Sequence, residues 1–166
     1  MAKRGVTGLA VVWVGRRGSP AVEELAVGYR DRIVRFVPCV EIRIRPAAGR
    51  GGDPARAVAV EGVAIRSHLR PGDAVVALDE RGRERTTEEF STWLATRLPA
   101  GRVVFVIGSD LGLDGSVKTL ARESFSLSRL TLPHQLARVV LLEQLYRSLD
   151  LASGGSYHRS GEGSHV

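Results

Sequence analysis

The strongest constraint on what this chain can fold into is the order in which its apolar runs and helical stretches follow one another. The run VVFVI, residues 103–107, is continuous, apolar and mostly β-branched, the composition of a strand buried on both faces. Short apolar runs also occupy 9–14, closed by Gly15, and 74–78, after the turn Pro71-Gly72-Asp73. Residues 40–45 alternate in character, as a half-buried strand does. Stretches with helix-start chemistry separate these runs. Pro20 opens a helix to about residue 35, and Pro54, following the flexible Arg50-Gly51-Gly52-Asp53, opens another to about residue 69. Thr86 or Thr87, with Glu88 or Glu89 nearby, starts a third through about residue 97. Residues 80–85 read as a charged turn. A loop and short helix then lead to a strand-like 125–127, and a long helix spans 133–149.

Strand–helix alternation with continuous apolar strands predicts an α/β fold: a parallel sheet with helices on both faces. Such sheets bind ligands beyond the carboxyl ends of their strands. Those ends are Leu78-Asp79, Ile107-Gly108 and Leu127-Ser128. No repeat or second domain is visible, and 166 residues suffice for one core.

Cys39 is the only cysteine, which excludes an intrachain disulfide and a cysteine-built zinc site. The four histidines, at 68, 134, 158 and 165, lack metal-ligand spacing, and no metal is expected. The basic start and short apolar run at the N-terminus imitate a signal peptide only superficially, because Arg16-Arg17 follows in place of a small-residue cleavage site. No run approaches the ~18 apolar residues of a membrane span. A cytoplasmic protein without a membrane partner is expected. The net charge of +6 is almost entirely arginine, with lysine only at positions 3 and 118. Guanidinium forks suit phosphates and bases, although GC-rich coding produces the same excess, so charge alone leaves an RNA partner open.

There is no GxGxxG after the first strand, no Walker loop, no HExxH and no GxSxG elbow. The informative segments are FVIGSDLGL, Phe105 to Leu113, and SLSRLTLPHQLARVVLLEQLYR, Ser126 to Arg147. In the first, glycines at 108 and 112 allow a ligand close to the backbone, as they also allow an ordinary strand-end turn. The second joins a Ser- and Thr-rich loop to an amphipathic helix opened by Pro133. His134, in the first turn of its helix, reads first as an imidazole capping the backbone. Arg138 and Arg147 stand in an apolar helix and invite ion pairs, with Glu143 the obvious partner. Tyr157-His158-Arg159, in a Gly/Ser-rich tail, reads by itself as a frayed end, although its residue types could stack, transfer a proton and bind phosphate.

LDERG (Leu78 to Gly82), FVIG with its following turn, the run from Ser126 to Arg147 and the terminal YHR together resemble the SPOUT-class family of large-subunit ribosomal RNA pseudouridine N3-methyltransferases. The resemblance implies an α/β trefoil knot, a domain over residues 1–159 and a disordered extension over 160–166. It implies a homodimeric enzyme that binds S-adenosyl-L-methionine bent in the knot, largely through backbone. Carried onto this chain, the contacts are Leu78, Gly108, Leu127, Ser128, Arg129, Leu130, Thr131 and Leu132. The implied reaction is methyl transfer to N3 of a pseudouridine in large-subunit ribosomal RNA, on the assembled ribosome. Tyr157, His158 and Arg159 are the substrate-side candidates, supplied by the partner subunit. Arg138 and His134 follow, for dimer architecture or substrate orientation. Two departures stand out: Ser109 occupies the second position of a turn that usually carries two adjacent glycines, and residues 160–166 extend past the YHR segment. They motivate two alternatives: a paralogue acting on another RNA site or a small nucleoside-like metabolite, and a catalytically silent RNA-binding scaffold.

Overall fold

The computed structural model describes residues 7–47 and 52–157. In chain order the elements are β1 (Gly8–Val14), α1 (Pro20–Ile33), β2 (Cys39–Ile44), α2 (Pro54–Ser67), β3 (Ala74–Arg83), α3 (Thr87–Arg97), β4 (Arg102–Ile107), α4 (Gly115–Leu120), β5 (Glu123–Phe125) and α5 (His134–Ala152). The helix starts follow local chemistry. The Ser19 hydroxyl accepts from Val22 N ahead of Pro20, the Asp53 carboxylate accepts from Ala55 N ahead of Pro54, and Thr86 with Glu89 forms a reciprocal capping box.

The five strands form one parallel sheet in the order β2-β1-β4-β3-β5. Alternate residues of the central strands feed two cores. Leu9, Val11, Trp13, Val103, Phe105 and Ile107 pack under α1, α3 and α5, whereas Ala10, Val12, Val14, Val104 and Val106 pack under α2 and α4. The unbroken apolar character of β1 and β4 is therefore the signature of burial on both faces.

Three boundaries differ from the sequence reading, each for a non-local reason. The expected charged turn 80–85 is partly strand, because β3 continues past Leu78 and its Arg83 pairs with Phe125. The fifth strand lies at 123–125 rather than 125–127, since Arg122 N donates to Val75 O (3.0 Å) and sets an earlier register. Helix α5 runs on to Ala152, and the segment after it folds back, with Gly155 N donating to Asp150 O at 2.8 Å and Tyr157 N to Asp150 Oδ2 at 2.9 Å. Residues 158–166 lie outside the described residues, and with them the expected disordered extension.

Phe125 pairs with both Leu78 and Arg83, and Ser126 N donates to Arg83 O at 3.0 Å. The chain between 78 and 83 thus arches out of the ladder at the end of β5. The arch leaves no room for a side chain at Gly82, where a Cβ would stand 2.7 Å from both N and C of Phe125. Below it, the Phe125 ring stacks on Phe90 with centroids 4.8 Å apart. Glu123 accepts from Trp93 Nε1 (2.9 Å) and Arg97 (2.8 Å) and pairs with Arg85, tying β5 to α3 and to the outgoing limb of the arch.

Among the described residues no helix is long and apolar enough to cross a membrane, and no group of three or more His, Cys, Asp or Glu side chains is placed to hold a metal ion. Gly82→Ala is expected to lower unfolding stability by about 1–3 kcal/mol, since the contact it overfills is backbone and cannot rotate away. Urea unfolding read by circular dichroism checks this; an unchanged midpoint would contradict the tight arch.

Candidate active site

The carboxyl ends of β3 and β4 and the loop after β5 enclose a cavity of about 780 Å³. This lies within the ~300–1,000 Å³ usual for small-molecule and cofactor pockets. One wall is the end of β3 (Leu78, Asp79, Glu80, Arg81), a second is the turn 108–112 with Leu113 and Lys118, and the third is the loop 126–132 with Pro133, His134 and Ala137. Polar ties join the walls pairwise. Lys118 Nζ meets Asp79 Oδ2 at 3.3 Å, Thr131 Oγ1 donates to Glu80 Oε2 at 3.2 Å, and His134 Nδ1 lies 3.0 Å from Asp110 Oδ1.

The loop is braced by its own serines, and this explains their density. Buried Ser126 donates through Oγ to Ser128 O (2.9 Å), while Ser128 Oγ accepts from Leu130 N (2.9 Å). The side-chain hydroxyls are thereby consumed in shaping the loop, as Ser and Thr turns generally do. On the facing wall, Gly112 N donates to Ser109 O at 2.8 Å and closes a tight turn. The Arg81 amide donates to Asp79 Oδ1 (2.9 Å), and this bond, with Lys118 nearby, holds the Asp79 carboxyl below its ordinary value of 3.8. Asp79 therefore keeps a negative charge at the cavity wall at neutral pH.

Of the eight residues assigned to a cofactor, seven line this cavity: Leu78, Gly108, Leu127, Ser128, Leu130, Thr131 and Leu132. Arg129 does not; its side chain is 87% exposed and faces Glu84 at 3.7 Å. The carboxylates of Asp79, Glu80 and Asp110, given no site role from the sequence, join them at the wall. Their signal was present only in LDERG and in the turn GSDLG, where acidic residues also read as turn chemistry.

The substrate-side candidates separate. His134 lines the cavity. Arg138, one helical turn later, does not: its side chain is 4% exposed, donates to Glu23 at 3.0 and 3.1 Å, pairs through Nε with Glu41, and stands 4.3 Å over the Trp13 ring. Glu143, expected as a partner for both arginines, pairs with Arg147 on the same helix, with Nε to Oε1 at 2.8 Å. Tyr157 is held at the far end of α5. Its ring lies 4.7 Å from that of Tyr146 and 4.6 Å below the Arg147 guanidinium, and its hydroxyl donates to Glu143 at 3.4 Å. Burial, together with a hydrogen bond to Tyr29, pushes its phenol up to about 12, so it is neutral at physiological pH. His158 and Arg159 lie outside the described residues.

Comparison with known proteins places this geometry in context. A family model described as a predicted SPOUT methyltransferase matches residues 8–158. The ribosomal RNA large subunit methyltransferase H of Maridesulfovibrio salexigens is 40% identical over 152 residues, covering 90% of this chain and 97% of that protein. The protein of the same name from Thiobacillus denitrificans is 44% identical over 137 residues, 80% of this chain and 88% of the relative. Among solved structures, a probable methylase family protein from Haemophilus influenzae aligns over 97% of this chain and 72% of its own, with a TM-score of 0.51 at 12% identity, a likeness of fold alone.

Two outcomes follow from the Arg138 anchor. Arg138→Met removes the cation and leaves Glu41 buried without it, so stability is expected to fall by about 3–5 kcal/mol in urea titration. The hydrogen bond from Arg138 holds the Glu23 carboxyl below its ordinary value of 4.5, so its contribution is complete above 4.5 and drains away as pH falls through the lower folded value. The urea midpoint should therefore decline on acidification below pH 4.5. The decline should be shallower in Glu23→Gln, and identical acid limbs would refute the linkage.

Proposed function

The chain belongs to the SPOUT methyltransferase family and is an S-adenosylmethionine-dependent methyltransferase; from that premise we propose that it methylates N3 of a pseudouridine in large-subunit ribosomal RNA. The acceptor is met on the assembled ribosome, in the cytoplasm, by a homodimer. The single observation that carries this reading is the cavity at the ends of β3 and β4 and the loop after β5, lined by seven of the eight residues assigned to the methyl donor. Apolar Leu78, Ile107, Leu127 and Leu132 suit an adenine ring, and Asp79, Glu80 and Asp110 suit a cationic sulfonium and ammonium. The residues present therefore fit this cofactor. Bound there, S-adenosylmethionine supplies an electrophilic methyl group.

What remains for the chain is to hold the acceptor base in line and to take up the imide proton, because a neutral imide N–H is a poor nucleophile. His158 is assigned the proton, and Arg159 a phosphate or the base carbonyl. Tyr157 serves as the anchor that aims both, since its phenol stays neutral and is engaged on α5. His134 stays at the cavity as an orienting group. The tail docks at Tyr146, roughly 18 Å along α5 from His134 at about 1.5 Å of rise per residue. That separation favours a tail serving the partner subunit's cavity rather than its own. Leu25 on α1 and Leu136 and Val140 on α5 are exposed and offer apolar surface for pairing.

The test is methyl transfer to large subunits that lack the modification, with mapping of the modified nucleotide by mass spectrometry. A methyl at N3 of a pseudouridine is expected; modification elsewhere, or of free nucleosides alone, would favour the paralogue reading. Calorimetry that finds no donor binding would favour the silent scaffold. His158→Ala is expected to lower turnover by about 100-fold or more with donor affinity unchanged. If His158→Ala and Arg159→Ala both kept wild-type turnover, the substrate-side assignment would be wrong. Mixing a cavity-defective chain with His158→Ala should restore about a quarter of wild-type activity, through mixed dimers that hold one intact site. No recovery would place the tail at its own cavity.

A further inference from the structure

Glu61 on α2 is 2% exposed, yet both partners of its carboxylate among the described residues are neutral. Oε1 accepts from the Ala47 amide at 3.0 Å, and Oε2 accepts from Ser109 Oγ at 2.8 Å. A buried carboxylate without a cation is costly, and each bond it makes constrains where it sits. Ser109 lines the donor cavity, and its Oγ also accepts from Leu111 N at 3.4 Å. Its carbonyl accepts from Gly112 N, closing the turn. The next residue on α2 reinforces the contact: a Cβ at Gly62 would stand 2.7 Å from the Asp114 Cβ, so the helix lies directly against the segment following the turn. One carboxylate thus bridges the cavity wall and the chain leaving β2. The link to the turn exists because residue 109 is serine; glycine at that position has no hydroxyl to donate.

We propose that Glu61, acting through Ser109, is a positioning residue of the methyl-donor site, and that it couples occupancy of the cavity to the segment at Ala47. The inference rests on the reading that this cavity takes S-adenosylmethionine. A turn fixed by two hydroxyl bonds and a helix presents its backbone in one arrangement, which is what a site built largely from backbone requires. Freed from Glu61, the turn has to be ordered by the ligand, and affinity falls.

Calorimetry of S-adenosylmethionine with the full-length wild type, Ser109→Ala, Glu61→Gln and the double variant tests this. Each single change should weaken binding by about tenfold, the worth of one hydrogen bond to a charged group. The double variant should bind no more weakly than the weaker single one, because both changes cut the same link. Hydrogen exchange supplies a readout that a merely structural role would leave unmoved: donor binding should slow exchange of the Ala47 amide in the wild type and not in Ser109→Ala. If Glu61→Gln fails to fold, Ser109→Ala, which removes one bond and leaves that from the Ala47 amide, carries the test alone. Wild-type affinity in Ser109→Ala, or losses that multiply in the double variant, would overturn the inference while leaving the proposed function standing. Absence of donor binding in the wild type would overturn both.

Discussion

The passage of β5 between Leu78 and Arg83 is the constraint from which the site derives. With β4 inserted between β1 and β3, and β5 beyond β3, the chain returns through the arch before it can build α5. That return forces residues 126–132 to emerge at the carboxyl ends of β3 and β4, where they become the third wall of the cavity. The crossing is stabilised on both sides. Backbone meets backbone at Gly82 and Phe125, the Phe125 ring stacks on Phe90, and Glu123 gathers Trp93, Arg85 and Arg97. Local pairing cannot produce such an arrangement, and general rules of chain topology argue against it. It forms here because each strand end is needed to complete its neighbour's hydrogen bonding.

Arg138 plays the corresponding part for α5. A guanidinium so deeply buried needs charge compensation, and it draws Glu23 from α1 and Glu41 from β2 while stacking on Trp13 of β1. Three elements are therefore pinned to one point on the helix, one turn beyond His134. The apolar core holds α5 down without fixing its rotation, because leucines tolerate sliding. The directional bonds of Arg138 set the register, and with it the side on which His134 faces Asp110.

Much of this fold was legible in the sequence. β1 and β4 announce themselves because burial on both faces selects unbroken apolar runs, and α1 and α2 because Pro20 and Pro54 follow capping residues. The walls at β3 and β4 were legible from the parallel-sheet rule, whereas Leu127-Ser128, read as a third strand end, lies in the loop after β5. What was hidden depends on contacts between distant residues. The stretch 80–85 is charged and reads as a turn, and only its pairing to Phe125 makes part of it strand. Glu143 pairs with Arg147 at a helix spacing visible in sequence, whereas the partners of Arg138 are distant, Glu23 lying 115 positions away and Glu41 97. The Gly/Ser-rich composition after Ala152 announces no structure of its own, and only contacts with Asp150 and Tyr146 fold the chain back as far as Tyr157. The knot itself was accessible only through resemblance.

Backbone-lined sites face a particular physical difficulty: main-chain groups bind well only when the loops carrying them are rigid before the ligand arrives. Here side chains supply that rigidity. Ser126 and Ser128 shape their own loop, while Lys118, Thr131 and His134 bridge the walls to Asp79, Glu80 and Asp110. Glu61 holds Ser109 from beneath. The bridging carboxylates serve twice, since the same charges that tie the walls also set a negative potential where a cationic donor would sit. A cavity organised in this way leaves few side chains free for proton transfer. On the proposed reading, that deficit is the reason a catalytic tail has to come from a second copy of the chain.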